Sequence, residues 1–264
     1  METFTFHPNA TGYDAVNAYA LAHAAKLAYA DESAIRRTVD ARWDFPKIRF
    51  FNKRDTQGYA AANDTLLILS FRGTEPTHLR DWMTALRIKQ VEVKGAGPGA
   101  AVHVGFQEAL DRVWDEVFTT FRLFLKRQTV WITGHSLGGA LAMLAAQRLR
   151  VEGLDFNGLY TFGSPRVGNP TFCGSCDQAF SSRAFRFVNN NDVVTRVPGR
   201  IVGYDHMGTL KYFDHKGALQ ENLSHWEAFL DRVQGKWEDF LQPGTDGLKD
   251  HPMDRYIECL QKYV

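Results

Sequence analysis

The sequence lacks several features that mark particular classes of protein. No apolar run approaches 18 residues, so no membrane-spanning helix is predicted. The formal net charge is only +1, with 31 Lys and Arg against 30 Asp and Glu, which argues against a nucleic-acid partner. The first ten residues are polar and show no signal-peptide core. We therefore expect a cytoplasmic chain, or export without a standard leader, unless a leader is missing from it.

Cysteine is also scarce. Its three copies, an odd number, argue against a disulfide scaffold. Cys173 and Cys176 form a lone C-x-x-C, and one such pair cannot complete a tetrahedral zinc site. We expect both in or beside a loop, with a local disulfide still open. A redox or metal module around this pair is the least favoured function, and no metal or cofactor is expected.

Strand and helix patterns alternate through the middle of the chain. No Pro/Gly/Ser-rich linker divides it, so we predict one α/β domain over residues 1–264 with a mostly parallel sheet flanked by helices. Asn63-Asp64 is predicted to form a tight turn. The predicted strands are 47–51, 58–62, 65–71, 129–133, 159–162, 184–188, 201–204 and 209–213, the last two pairing with each other. The predicted helices are 15–30, 106–124, about 140–150, 225–240 and 253–263.

The strongest motif is Gly134-His135-Ser136-Leu137-Gly138, which fits G-x-S-x-G between a predicted strand and a predicted helix. In this context the turn lifts the serine hydroxyl to the carboxyl end of the sheet. The backbone N–H of Leu137 can then point at a developing oxyanion. Ser136 is therefore the predicted nucleophile, in preference to a simple glycine-rich turn.

A serine nucleophile needs a base and an orienting carboxylate, in the chain order Ser, acid, His on this kind of scaffold. Asp192 follows a predicted strand, where either a catalytic acid or an ordinary turn aspartate would lie. The histidines after it are His206, His215, His225 and His251. From position alone His251, in a loop before the last helix, is the first choice for the base and His206 the second.

Several ordered motifs together resemble the class 3 lipase family over roughly residue 20 to the C-terminus. They are 69–74 (LSFRGT), 102–106 (VHVGF), 134–139 (GHSLGG), 161–169 (TFGSPRVGN), Asn191-Asp192 with 196–198 (RVP), and Asp250-His251 with Tyr256. The resemblance implies an α/β-hydrolase fold and a triad of Ser136, Asp192 and His251. It also implies that Thr74 joins Leu137 in the oxyanion hole, and the alternative for Thr74 is a capping or turn residue before a helix. His103 is expected to be structural.

The resemblance further implies a helical lid after Thr74, over about residues 76–88. One face of this segment is apolar, with Leu79, Trp82, Met83 and Leu86, and the other carries Arg80, Asp81 and Arg87. An ordinary surface helix would have the same pattern. The glycine-rich run 95–99 is either a distal hinge or only a loop.

The predicted function is hydrolysis of carboxylic esters, first of all triacylglycerols, through a covalent acyl-enzyme. An ester or lipid substrate is the expected partner, met at a lipid–water interface. The alternatives are an aryl or feruloyl esterase, a phospholipase, or a non-catalytic binding protein on the same fold. The sequence departs from secreted fungal members in lacking their disulfides, and it carries Val193 and Thr195 where prolines often follow the acid.

Overall fold

A computed structural model describes residues 4–86, 88–220 and 248–264. The strands are β1 Lys47–Lys53, β2 Thr56–Ala62, β3 Leu66–Phe71, β4 Gln90–Glu92, β5 Ala101–His103, β6 Thr129–His135, β7 Gly158–Phe162, β8 Ala184–Asn189, β9 Thr209–Phe213 and β10 Leu219–Gln220. The helices are α1 Ala15–Leu27, α2 Glu32–Ala41, α3 Leu79–Ala85, α4 Val104–Phe124, α5 Leu137–Val151, α6 Pro170–Phe180 and α7 Met253–Leu260. The predicted helix 225–240 lies outside the described residues.

The central sheet has eight strands in the order β1-β2-β3-β6-β7-β8-β9-β10. The pairs from β3 through β9 are parallel, whereas β1, β2 and β10 join antiparallel at the two edges. Strands β3, β6, β7 and β8 are buried almost throughout, which explains their near-continuous apolar sequences. The chain has the predicted α/β-hydrolase fold with a mostly parallel sheet.

Helices cover both faces of this sheet, and the strand pleat divides the core between them. On one face Trp131 belongs to a core cluster with residues of α1, α2 and α7. On the other face its neighbours Val130 and Ile132 pack with residues of α4, α5 and α6. Because successive side chains of a strand point to opposite faces, one buried strand contributes to both halves of the core.

The predicted strand 201–204 is wrong. Residues Arg200–Val202 form a short 3-10 helix that ends at Gly203, whose φ of 82° is left-handed. Strand β9 pairs instead with β8 and β10. The apolar pair Ile201-Val202 resembled a strand, but the flanking glycines favour a tight turn.

The predicted loop placement of Cys173 and Cys176 is also wrong. Both lie in α6, which begins at Pro170 after the capping side chain of Asn169. The two thiols are free and buried, and burial raises the pKa of Cys176 to about 12. A buried neutral thiol is a poor nucleophile and metal ligand, so neither the disulfide nor the redox reading is supported.

Two short strands lie beside the main sheet. β4 and β5 form a hairpin, and residues 95–99 are its loop, in which Gly95, Gly97 and Gly99 have positive φ.

Over the described ranges no helix is both long and apolar enough to cross a bilayer.

Candidate active site

The chain turns sharply between β6 and α5, and Ser136 occupies this turn. Its φ of 58° and ψ of −131° lie in a region that L-residues rarely adopt. A Cβ on Gly134 would lie 2.2 Å from the backbone oxygen of Gly138. A Cβ on Gly138 would lie 2.2 Å from the backbone oxygen of Phe71, at the end of β3. Both glycines of the motif are therefore required by close backbone approach, as predicted.

The turn buries Ser136 and sets it before the first residue of α5. Its backbone N–H donates to the oxygen of Phe162 at 2.9 Å, which ties the turn to the end of β7. Its Oγ is buried and has no hydrogen-bond partner among the described residues. Leu137 is the first residue of α5, where the backbone N–H has no acceptor within the helix.

Asp192 and His251 form a buried pair. Asp192 follows β8 and His251 precedes α7, and the structure brings them together across 59 residues of sequence. The Nδ1 of His251 lies 3.0 and 2.9 Å from the two carboxylate oxygens of Asp192. The Nε2 on the other side of the ring is buried without a partner among the described residues. The imidazole is thus oriented by one nitrogen and has the other one available.

Gly163 is the point at which the serine turn meets the His–Asp pair. It directly follows Phe162, the acceptor of the Ser136 N–H, and its φ is 57°. A Cβ at this position would lie 2.7 Å from Oδ2 of Asp192 and 3.0 Å from the His251 ring. The three sequence-predicted triad residues are therefore gathered at the carboxyl ends of β6, β7 and β8.

The competing histidines lie elsewhere. His206 is half-buried with Nε2 2.8 Å from the Thr195 oxygen, and loss of hydration around the ring holds its pKa well below the usual value. His215 is exposed, and His225 falls outside the described residues. His103 caps α4, since its Nδ1 accepts the backbone N–H groups of Gly105 and Phe106 at 3.1 and 3.3 Å.

The Asp192 carboxylate has two further donors besides His251. The backbone N–H of Val194 donates to Oδ1 at 3.0 Å, and the hydroxyl of Tyr256 donates to Oδ2. Burial and the charge of Asp192 raise the pKa of Tyr256 well above its usual value. These donors compensate a carboxylate that is removed from water. Sequence reasoning noted Tyr256 only as a motif residue and missed this contact.

His135, the second residue of the motif, supports the backbone of His251. Its Nε2 lies 2.8 Å from the carbonyl oxygen of His251, and its Nδ1 lies 2.8 Å from the hydroxyl of Tyr29. The two imidazole rings have centroids 4.4 Å apart. Burial and the neighbouring His251 lower the pKa of His135 well below its usual value, so it remains neutral. Neither Tyr29 nor His135 was predicted as a site residue.

A set of hydrogen bonds joins the residue before His251 to the residues before Asp192. The Asn189 side-chain amide donates to the backbone oxygen of Asp250 at 2.9 Å. The Oδ2 of Asp250 accepts from the Asn190 side chain at 2.9 Å and from the Asn191 backbone at 3.1 Å. These three bonds, the Asp250 clamp, fix the two loops that carry the acid and the histidine.

The segment after β3 lies directly against the serine turn. A Cβ on Gly73 would lie 3.0 Å from Cβ of Ser136 and 2.5 Å from the backbone oxygen of His135. Thr74 is the next residue and is half-buried. The predicted oxyanion residues Thr74 and Leu137 thus belong to the two segments that meet at Ser136.

Helix α3 covers the other side of the acid loop. Leu79 and Met83 are buried in a cluster with Val193, Val194 and Val197, which follow Asp192. The half-buried Trp82 and Leu86 pack against the same cluster, so all four predicted apolar residues face inward. On the opposite face Arg80 and Asp81 are exposed, and Arg87 lies outside the described residues.

Comparison with known proteins places this arrangement in a family. Residues 68–202, more than half of the chain, match the sequence model described as Lipase (class 3). The chain belongs to the class 3 lipase family.

Among the residues that the structure describes, no group of three or more His, Cys, Asp or Glu side chains could hold a metal ion.

Curated relatives and solved structures that are similar to this chain agree with this assignment. A secreted mono- and diacylglycerol lipase of Fusarium solani is 34% identical over 56% of this chain and 44% of its own length. The chain spans about half the length of the curated relatives that it matches. Among solved structures, lipase II from Rhizopus niveus is 30% identical with a TM-score of 0.57, covering 74% of this chain and 78% of the other. The Rhizomucor miehei triacylglyceride lipase is 26% identical with a TM-score of 0.64, covering 87% and 94%.

Proposed function

We propose that this chain hydrolyses carboxylic esters by way of a Ser136–His251–Asp192 triad. The observation that carries the proposal is a pair of buried polar atoms without protein partners, Oγ of Ser136 and Nε2 of His251, on elements that meet at Gly163. A buried polar group without a partner is costly, so its persistence in a native fold suggests a functional use. Nδ1 of His251 is already held by Asp192, as a general base requires.

The proposed reaction is acyl transfer in two steps. His251 removes the proton of Ser136, whose Oγ attacks the ester carbonyl, and the same histidine then protonates the departing alcohol. A water molecule activated by His251 releases the acid from the acyl-enzyme. Asp192 holds the imidazole tautomer and stabilises the imidazolium. Backbone N–H groups of Thr74 and Leu137 stabilise the oxyanion, and loss of one such donor costs about 3–4 kcal/mol.

Removal of the nucleophile tests this proposal. Ser136→Ala is expected to abolish hydrolysis of p-nitrophenyl esters and labelling by a fluorophosphonate probe, while its circular dichroism spectrum remains unchanged. Ser33→Ala, which changes an exposed serine of α2, is the matched control and should retain both activities. Full turnover by Ser136→Ala would overturn the proposal, and failure of the parent chain to react with the probe would favour a non-catalytic binding protein.

For the substrate, we propose a lipid ester met at a lipid–water interface. The supporting observations are the names of the relatives and the inward apolar face of α3, which covers the Val193–Val197 segment beside the triad. A helix with this construction can act as a lid that exposes apolar surface when it moves. A series of esters from acetyl to palmitoyl, with and without an emulsified interface, separates a lipase from an aryl or feruloyl esterase. Parallel assays with phospholipid test the phospholipase alternative.

The lid proposal has a separate test. Met83→Ala removes buried contacts of α3, so it should weaken the closed position and raise the turnover of a dissolved short-chain ester. Thr84→Ala changes the neighbouring exposed residue and should leave turnover unchanged. Lower turnover in Met83→Ala than in Thr84→Ala would argue that α3 is an ordinary structural helix.

A further inference from the structure

Two polar side chains beside the triad have no role in the proposed chemical steps. Tyr29 comes two residues after the end of α1 and is half-buried, and His135 directly precedes the nucleophile and is buried. Neither is bound to a reacting atom, because Oγ of Ser136 and Nε2 of His251 have no hydrogen-bond partner among the described residues. Tyr29 and His135 can therefore act on the site only through the backbone groups that they hold.

The direction of each hydrogen bond between these residues follows from which atoms can donate. The carbonyl oxygen of His251 can only accept, so Nε2 of His135, at 2.8 Å, carries the proton. Burial and the neighbouring His251 lower the pKa of His135, so the ring is neutral and its Nδ1 must accept. The Tyr29 hydroxyl, 2.8 Å from Nδ1, is then the donor. Burial raises the pKa of Tyr29, so the hydroxyl keeps this proton.

The oxygen of the Tyr29 hydroxyl also meets the segment that follows β3. A Cβ on Gly73 would lie 2.3 Å from this oxygen, and the backbone N–H of Gly73 interacts with it. Gly73 directly precedes Thr74, whose backbone N–H is a proposed oxyanion donor. A continuous series of polar contacts thus runs from Gly73 through Tyr29 and His135 to the carbonyl of His251. We refer to it as the Tyr29–His135 bridge.

The surroundings of Tyr29 hold its ring in place. The guanidinium carbon of Arg72 lies 5.8 Å from the ring centroid, and Arg72 is itself bonded to the side chains of Gln57 and Glu75. The backbone N–H of Tyr29 donates to the Lys26 oxygen at 3.1 Å, which ties the residue to the last turn of α1. A side chain that supports a catalytic group needs such fixed neighbours.

We propose that Tyr29 and His135 are positioning residues that fix the separation between the oxyanion segment at Thr74 and the catalytic base His251. The inference rests on the proposed function, which supplies the triad that they support. Asp192 orients the imidazole of His251 at Nδ1, whereas the bridge holds the backbone of the same residue. The base and the oxyanion donor act on one bound ester, so an error in their separation slows the reaction without weakening binding.

Tyr29→Phe tests the bridge, because it removes the hydroxyl and keeps the ring. We expect kcat for dissolved p-nitrophenyl butyrate to fall roughly tenfold, with KM within about a factor of two of the unsubstituted chain. Tyr160→Phe is the matched control. The Tyr160 ring is buried in β7, and its hydroxyl donates to the Gly12 oxygen at 3.3 Å, before the start of α1. Its loss should lower stability and leave kcat unchanged.

A double-mutant cycle tests whether the two residues act through one connection. His135→Gln keeps an amide donor for the His251 oxygen and removes the ring nitrogen that accepts from Tyr29. Adding Tyr29→Phe to His135→Gln should therefore lower kcat by no more than about twofold further, because the connection is already broken. Losses that multiply in the double variant would show that the two residues act separately, which would overturn the bridge.

The outcomes separate this inference from the proposed function. Equal kcat values for Tyr29→Phe and Tyr160→Phe, with an active unsubstituted chain, would overturn the positioning role alone. A rise in KM at constant kcat in Tyr29→Phe would also overturn it, since the hydroxyl would then act on binding of the ester. Absence of turnover in the unsubstituted chain would overturn the proposed function.

Discussion

At the scale of single residues, the environment of Asp192 explains how a buried carboxylate finds hydrogen-bond donors and is held in place. Its oxygens accept from His251, Tyr256 and the Val194 backbone. The hydroxyl of Tyr256 also accepts the Asn189 N–H at 3.2 Å, so it links the acid to the strand that carries it. Removing a donor here leaves both a charge and a backbone group less well satisfied.

Tyr256→Phe tests this arrangement. We expect the free energy of unfolding to fall by about 1–3 kcal/mol, as for a buried hydrogen bond to a charged group, and kcat to fall on the order of tenfold. Urea unfolding and ester hydrolysis measure the two effects. Tyr59→Phe is a control, because the buried Tyr59 hydroxyl donates to the Ala24 oxygen away from the triad. It should lower stability and leave kcat unchanged, and an equal kcat for both variants would contradict the positioning role of Tyr256.

The Asp250 clamp gives a second prediction at this scale. Asp250→Ala removes the acceptor shared by Asn190 and Asn191, which should loosen the loop that precedes His251. Small displacements of a catalytic base are costly, so kcat should fall roughly tenfold or more with little change in KM. Asp64→Ala, in the exposed turn before β3, is the control and should match the unsubstituted chain. A rise in KM at constant kcat would show that Asp250 acts on substrate binding instead.

At the scale of elements, the site depends on how closely backbones approach one another. The end of β3 touches α5 at Gly138, and the end of β7 touches the His–Asp pair at Gly163. Side chains at these positions would separate elements that the parallel sheet otherwise brings together. Helix α3 differs, because its contacts with the Val193–Val197 segment are made by apolar side chains and not by strand pairing.

Gly163→Ala should therefore abolish activity. The added Cβ would lie 2.7 Å from Oδ2 of Asp192, and a φ of 57° is strained for alanine. We expect hydrolysis to fall at least a hundredfold. Gly174→Ala, in the exposed part of α6 with nothing within 4 Å, should leave activity unchanged and raise stability by about 0.5–1 kcal/mol. Activity within a factor of two of the unsubstituted chain in Gly163→Ala would contradict the described geometry.

At the scale of the whole molecule, buried neutral histidines link stability to pH. Burial lowers the pKa of His135 and of His206 well below the unfolded value near 6.5. Below pH 6.5 the unfolded chain therefore binds protons that the folded chain does not, so folding stability is present above this pH and is lost as pH falls. Burial also lowers the pKa of His23 to about 4, which acts in the same direction.

We expect the free energy of unfolding to fall by at least about 2–3 kcal/mol per pH unit below pH 6, since His135 and His206 each contribute roughly 1.4 kcal/mol per unit and His23 adds to them. Urea unfolding at pH 7, 6 and 5 measures the slope. His206→Gln retains an amide donor for the Thr195 oxygen and removes one titrating group. The change of its unfolding free energy with pH should therefore be smaller by the contribution of one histidine. An unchanged slope would show that His206 titrates alike in both states.

The sequence by itself determined the features that depend on local order. The near-continuous apolar strands β3 and β6, the glycines on either side of Ser136 and the helical spacing of Leu79 and Met83 all follow from backbone sterics and hydrophobic periodicity within a few residues. The ordered motifs also sufficed to identify the family. The strand that local pattern predicted at 201–204 is wrong, because two aliphatic residues between glycines form a turn there.

The tertiary structure decided which distant residues meet. Position in the sequence left His206 as an alternative to His251 for the catalytic base. In the folded chain the parallel order of β6, β7 and β8 brings His251 to Asp192, whereas His206 contacts the backbone oxygen of Thr195. The contacts of Tyr256 and the Asp250 clamp likewise join segments about 60 residues apart. Such contacts cannot be predicted from the periodicity of the sequence, because they form only when the folded sheet brings the ends of distant strands together.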